Sequence, residues 1–341
     1  MHIRSATPAV SVLMPVRDGA SFLPAAIASI EAQSFTDFEV IVVDDGSRDE
    51  SRQVVESWSR RDARVTLLAG PRRGVARALD AALRRARAPL VARMDADDVS
   101  LPDRFAVQTA SLEASPDVEV LGTHVRIVPI GSALTDGMRR YERWLSSLTT
   151  PTELARDLFV ESPLCHPTVM ARREALLGVG SYRDVDGPED YDLWLRLARA
   201  GAVMANVPEV LLEWRDRTDR ATRRDARYRA SAIDRLKLRN LLGWRLGGRR
   251  RVGLWGAGPL GKRWARRLAS RGVEVAFFVE VHPRRIGQTI HGAPVIGADD
   301  LPSPGDDPIL VTVGVEGARE LIREALVAKG YDELQDVVYL Q

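Results

Sequence analysis

The chain of 341 residues holds one cysteine, Cys165, five histidines and an aromatic content of only 6%. A single cysteine excludes an internal disulfide framework and any cysteine-rich zinc site. No apolar run approaches the roughly 18 residues of a membrane-crossing helix. The first residues, MHIRSATPAVSVLMPV, lack a secretory-leader pattern because their apolar part leads directly into a strand. A cytoplasmic location is therefore the expectation. Net charge is only +2, which implies no general nucleic-acid role. Repeats and low-complexity tracts are absent. Lysine is almost absent too, at Lys237, Lys262 and Lys329 alone, so arginine carries the positive charge, and Arg215 to Arg251 is strongly basic.

What is present describes a soluble globular protein. Hydrophobic residues make up 45% and charged residues 28%, and the length suits two domains with sizeable cores. The first half alternates strand and helix patterns. VSVLMPV (Val10–Val16), FEVIVVDD (Phe38–Asp45), RVTLLA and PLVARMD are apolar strands. SFLPAAIASIEAQS (Ser21–Ser34), with Ser21 as helix N-cap, SRQVVESWSRR and GVARALDAALRRAR (Gly74–Arg87) have helical spacing. This β-α-β order predicts a mainly parallel sheet covered on both faces. Ligands of such sheets bind beyond the carboxyl ends of the strands. Two acidic clusters, Asp44–Asp45 and Asp95–Asp98, fall at those ends.

Like charges crowded in MDADD repel one another unless a cation bridges them or the turn needs them. Asp95 and Asp97 lie on one side of an extended turn and can share an ion, whereas Asp98 suits the cap of a helix beginning near Leu101–Pro102. Read alone, DADDV also fits the nucleophile motif of haloacid-dehalogenase-like phosphatases, with Asp95 taking the phosphoryl group. That motif belongs on a first strand, and here it follows three earlier ones.

Taken together, VSVLMPVRDGASFLPAAIASIEAQSFTDFEVIVVDDGSRDES, MDADD and EDYDLWLRLARAG resemble the family 2 glycosyltransferases of the GT-A fold, over about Val10 to Trp214. The resemblance implies an inverting transfer of a sugar from a nucleotide-diphosphate donor to a hydroxyl of a glycan or lipid-linked acceptor, in cell-surface or secreted glycan synthesis. It implies a divalent cation, Mn2+ or Mg2+, held by Asp97 directly and by Asp95 directly or through water or the ribose. It places the nucleotide base at Asp44, with Asp45 beside it and Gly46 allowing the turn. Pro15, Val16 and Asp18 would line the base and ribose, and Arg77 the diphosphate, although Asp80 stands where an Asn is usual. Asp190 would be the general base, oriented by Glu189. His166 and Trp194 are acceptor-side candidates, His166 also for a metal; each also fits a buried structural role. No Gln-x-x-Arg-Trp motif follows, which favours single additions over processive synthesis. A non-catalytic sugar-binding module would not need Asp95, Asp97 and Asp190 together.

Downstream, GAGPLG matches G-x-G-x-x-G between a strand and a helix. Either Gly256, Gly258, Gly261 and Glu280 form a second nucleotide or small-ligand site in a Rossmann-like domain, or that domain is structural or for docking. This predicts three segments: a GT-A domain over 1–214, a basic helical linker over 215–248 and a Rossmann-like domain over 249–341. A nicotinamide-dependent oxidoreductase would rest on these glycines alone. In the linker, Leu241, Leu242 and Trp244 could meet anionic lipid in a peripheral membrane contact; a solvated helix packed on the protein is the other reading.

Overall fold

Seven residues of unbroken burial, Phe38–Asp44 (β2), lie parallel between Val10–Val16 (β1) and Val65–Ala69 (β3). The Val- and Ile-rich run FEVIVVD suits a strand buried on both faces. Leu90–Arg93 (β4) lies parallel to β1 on its other side, so the order β3-β2-β1-β4 reverses direction of travel at β1. A crevice therefore opens beyond the carboxyl ends of β1, β2 and β4. The computed structural model describes residues 7–70, 72–131, 133–217, 225–305, 307–315 and 317–341.

The sheet is less parallel than the sequence predicts. Val99–Ser100 (β5), Val118–Pro129 (β6), Met170–Arg172 (β7) and Val203–Asp216 (β8) complete eight strands in the order β3-β2-β1-β4-β7-β6-β8-β5. β7 runs antiparallel to both β4 and β6, and β5 is antiparallel to β8. Strand β8 reaches Asp216, so Arg215 and Asp216 belong to a strand and not to a helical linker.

Helices cover the sheet. One face packs Val10, Val12, Met14 and Val42 against Leu23–Glu31 (α1), Ser51–Arg61 (α2) and Arg104–Ala114 (α4), with Ile27, Ile30, Trp58 and Phe105 buried there. Val75–Arg85 (α3) contacts β1 and β2. Ser21 does not cap α1. The Gly19 carbonyl already accepts from the N–H groups of Phe22 and Leu23, so Ser21 lies inside the entry turn, and Pro24 fills the first helical turn. Asp98 does not cap α4, which begins six residues later at Arg104. The remaining helices of this part are Asp136–Ser146 (α5), Arg173–Gly178 (α7) and Glu189–Arg199 (α8).

Two compact units divide the chain, one of 1–151 with 164–233, the other of 152–163 with 234–341. The second contains Pro151–Asp157 (α6) apart from its first residue, Ala230–Asn240 (α9) from Asp234 onward, Pro259–Ala269 (α10) and Ala318–Ala328 (α11). Its six strands follow the order β11-β12-β10-β9-β13-β14. Arg251–Trp255 (β9) pairs in parallel with Glu274–Val279 (β10) and Ile309–Val311 (β13). β10 is parallel to Ala293–Ile296 (β12), and β13 to Val337–Tyr339 (β14). Thr289–Ile290 (β11) closes the edge in an antiparallel pair. Leu241 is fully buried and Trp244 lies half-buried against Phe159, with ring centroids 6.0 Å apart. Leu241 is therefore part of this unit's packing and its lipid-facing reading is corrected, while Leu242 and Trp244 are half-buried. The buried Lys237 ammonium donates to the carbonyls of Val160 and Leu340 at 2.7 and 3.2 Å. Among the described residues no helix is long and apolar enough to cross a membrane.

Candidate active site

The expected donor-side residues lie at the carboxyl ends of β1, β2 and β4 and on the turns that follow them. Pro15 is half-buried and Val16 buried at the end of β1. Asp18, exposed, adopts a left-handed backbone with φ 50°, a conformation Asp tolerates better than most residues. Two bonds hold it there: its N–H donates to Ser47 Oγ at 3.1 Å, and its carboxylate accepts the Arg48 N–H at 2.7 Å. The facing turn after β2 is tied down by Asp44, whose Oδ1 accepts the Ser47 N–H and hydroxyl at 3.0 and 2.6 Å. Gly46 turns the chain at φ 79°, and the Arg72 side chain fills the space a Cβ would need.

Asp45 does something the sequence did not show. Its two oxygens accept the N–H groups of Arg73 and Gly74 at 3.0 and 2.8 Å, at the head of α3. Gly74 itself provides no side-chain cap, so Asp45 caps α3 from a distant point in sequence. Arg77 is exposed on the first turn of α3. Asp80 pairs with Arg84 one turn on, at 3.1 Å.

After β4 the three acids Asp95, Asp97 and Asp98 each offer an oxygen, all within 4.8 Å of one another. Three hard oxygen donors suit Mg2+ or Mn2+. Asp98 is wholly buried, and its Oδ1 accepts the Arg215 N–H of β8 at 2.8 Å, which locks the cluster to that strand. Cations of the chain already sit on the other two. Arg93, at the end of β4, forms an ion pair with Asp95. Arg217, just beyond β8, donates to Asp97 Oδ2 at 3.0 Å and lies over the Phe22 ring at 4.1 Å.

The acceptor-side residues gather around the start of α8. The Asp190 carboxylate accepts the N–H of Tyr191 at 2.8 Å and is half-buried. Glu189 is 4% exposed, accepts the Tyr228 hydroxyl at 2.8 Å and stands 3.7 Å from His166 Nδ1. Burial pushes its carboxyl pKa up, opposed by the Tyr228 hydrogen bond and the Arg93 charge. His166 Nε2 lies 3.1 Å from the Tyr182 hydroxyl. Burial, reinforced by Arg93, holds its imidazole well below the ordinary histidine range, so it is neutral. Burial likewise raises the phenols of Tyr182 and Tyr228. Trp194 is 0% exposed, with its ring edge-on to His166 at 5.8 Å. It therefore presents no face to a sugar, and the acceptor-platform reading is corrected to a core role. Asp192 turns away, paired to Arg196 at 2.8 Å.

Arg93, Arg217, Tyr182 and Tyr228 were missed in the sequence. Only Arg93 left a signal there: it interrupts an apolar strand, and a charged residue in a buried strand needs a partner.

In the second unit, Gly256 has φ 114°, and a Cβ on Gly261 would overlap the Gly256 carbonyl oxygen. Both glycines are thus required by the close approach of α10 to the turn. At Gly258 a Cβ would meet nothing within 4 Å. The Glu280 carboxylate is engaged by its own loop: it accepts the N–H groups of Val281 and His282 and pairs with Arg285 at 2.9 Å.

Comparison with known proteins agrees with this layout. Residues 11–179 match the model for glycosyl transferase family 2. The amylovoran biosynthesis glycosyltransferase AmsE of Erwinia amylovora is 32% identical over 199 residues, 58% of this chain and 72% of that protein. The UDP-Gal:alpha-D-GlcNAc-diphosphoundecaprenol beta-1,3-galactosyltransferase of Escherichia coli is 28% identical over 231 residues, 67% of this chain and 82% of that protein. The crystal structure of S. aureus TarS 1–349 in complex with UDP-GlcNAc superposes with a TM-score of 0.53 at 17% identity, over 69% of this chain and 67% of that one. That likeness establishes the fold as GT-A. Nothing in these comparisons supports the phosphatase or the oxidoreductase, and Asp95 lies after the fourth strand, where a phosphatase nucleophile does not belong. By its fold, the order of its motifs and its relatives, the chain is a glycosyltransferase and belongs to glycosyltransferase family 2.

Proposed function

We propose that the first unit moves a sugar, with inversion, from a nucleoside-diphosphate sugar to a hydroxyl of a lipid-linked glycan during cell-surface polysaccharide synthesis. One observation carries this reading: the Asp95–Asp97–Asp98 cluster and the Glu189–Asp190 start of α8 belong to the same unit, and the charge of Arg93 acts on both. The relatives named for amylovoran biosynthesis and for galactosyl transfer to a diphosphoundecaprenol-linked sugar supply the acceptor class. Such an acceptor makes the protein a peripheral partner of the inner membrane face.

In this reading Asp44 receives the base. Its Oδ1 is occupied by Ser47, so Oδ2 takes the base N–H. Pro15, Val16 and Asp18 line the base and ribose, while Asp45 acts indirectly, by fixing the head of α3 and with it Arg77. Asp97 and Asp95 would hold the divalent cation, Mn2+ or Mg2+, where Asp97 now accepts from Arg217. A cation there neutralises charge on the departing nucleoside diphosphate. Asp190 accepts the acceptor hydroxyl's proton as the new bond forms. Its position at a helix N-terminus favours the carboxylate, so it is a weak base, which suffices for a proton lost in the transition state. Glu189, pinned by Tyr228 and flanked by His166, orients that corner of the site. The second unit we read as Rossmann-like, from its parallel strand order and glycine turn. With its candidate ribose carboxylate, Glu280, engaged by Arg285, we read it as a structural or docking domain.

The test is thermal shift with UDP, GDP, dTDP and CDP, each with and without Mn2+. One nucleotide should stabilise the protein with Mn2+ only, by about 2.7 kcal/mol at 100 times its Kd. Asp97→Ala should abolish that shift and leave the unliganded Tm near that of the parent. Unchanged Mn2+-dependent binding in the variant would remove Asp97 from the site.

A further inference from the structure

Arg93 is a buried cation beside the Asp95–Asp97–Asp98 cluster, and the mechanism above gives it no step of its own. Its side chain is 5% exposed, at the end of the central strand β4. Its neighbours Ala92 and Met94 are both 0% exposed and pack into the core face, so the guanidinium is directed to the opposite face. The backbone is fixed on both sides. The Arg93 N–H donates to the Val169 carbonyl at 2.8 Å, and the Arg93 carbonyl accepts from the buried guanidinium of Arg104, also at 2.8 Å.

Its charge reaches two groups of residues at once. On the donor side it is ion-paired with Asp95 and acts on Asp98. On the acceptor side its charge opposes the burial-driven rise of the Glu189 and Tyr182 pKa values and adds to the burial-driven lowering of His166. Its Nε is buried with no hydrogen-bond partner among the described residues. A buried charge so incompletely bonded costs stability, and a fold that only needed to fill this volume would place an apolar residue there.

We propose that Arg93 is a positioning residue that fixes Asp95 and sets the cation affinity of the Asp95–Asp97–Asp98 cluster. The inference rests on the metal reading of the cluster given above. Three carboxylates within 4.8 Å form a strongly negative pocket. A fixed guanidinium beside them weakens attraction for a divalent ion, so that the ion is bound together with the donor diphosphate and released with the product.

The consequence has an unusual sign. Arg93→Met should bind Mn2+ more tightly in the absence of donor, by about tenfold or more, measured by calorimetry at pH 8. The same variant should lose transfer in kcat, by about a hundredfold, with donor KM little changed. A residue needed only for folding would weaken the metal site along with everything else. Arg93→Lys keeps a cation but loses the planar fork; it should hold Mn2+ within about threefold of the parent and still lose kcat. It decides the matter if Arg93→Met does not fold. Unchanged or weaker Mn2+ binding by folded Arg93→Met, or a marked change of Mn2+ affinity in Arg93→Lys, would overturn the proposal. Failure of the parent protein to bind Mn2+ would instead sink the metal reading, and this inference with it.

Discussion

Asp45 offers a quantitative test, because sequence and structure give it different tasks. The sequence places it beside the nucleotide base; the structure uses both of its oxygens to hold the head of α3. Asp45→Ala removes two hydrogen bonds from backbone N–H groups to an ionised acceptor, at 3.0 and 2.8 Å. Such bonds contribute about 1.5–3 kcal/mol each, and loss of a helix cap costs about 0.5–2 kcal/mol. Arg73 is exposed and Gly74 half-buried, so water recovers part of the loss, and a total near 2–4 kcal/mol follows. Asp45→Asn keeps one acceptor oxygen and should lose about half as much. In thermal denaturation a unit of this size shifts by about 2–4 °C per kcal/mol, so Asp45→Ala should melt roughly 4–16 °C lower. Once folded at low temperature it should bind nucleotide at reduced affinity, through a loosened head of α3. An unchanged Tm with nucleotide binding abolished would refute the capping role and return Asp45 to the base site.

Glu189→Gln should raise stability at neutral pH while lowering transfer. The folded-state pKa of Glu189 lies above its unfolded value because burial dominates. Its contribution to stability is therefore fully present below the unfolded pKa of about 4.5 and is lost as pH rises through the folded pKa; the amide does not ionise and keeps it. The gain should be present at pH 7 and vanish near pH 4; a variant less stable than the parent at pH 7 would contradict it. Gly261→Ala drives a methyl group into the Gly256 carbonyl and should destabilise the second unit by about 1–3 kcal/mol or more. Hydrogen exchange should show the loss in β9 and α10, with transfer by the first unit retained; loss of transfer would give the second unit a part in the reaction.

The legible parts of the sequence were those with local periodicity. β1 to β3 and α2 are bounded almost as the apolar patterns in VSVLMPV, FEVIVVDD, RVTLLA and SRQVVESWSRR suggest, because each buries a face whose repeat is visible in a few residues. The clustering of Asp95, Asp97 and Asp98 was legible for the same reason, as three acids on one short turn. What could not be read were partnerships across long separations. Asp98 looked like a cap, but its partner is Arg215, 117 residues away. Asp45 looked like a neighbour of the nucleotide base, but its partners lie at the head of another helix. Tyr228 and Glu189 are 39 residues apart, and nothing local links them. Strand β7 is three residues long, too short for its antiparallel insertion to leave a period. Leu241 followed a basic stretch that suggested an exposed face; burial within the second unit decided otherwise.

The central claim is a single displacement assisted by Asp190, and the product reports on it. With the donor found in the nucleotide screen, transfer by the parent protein and by Asp190→Asn is followed in single turnovers, and the anomeric configuration of the product is read by NMR. The account requires inversion at the transferred carbon. It also requires a rate lower by about 10² to 10⁴ in Asp190→Asn, with donor and Mn2+ affinity near those of the parent. A retained anomer, or transfer by Asp190→Asn at a near-normal rate, would contradict it.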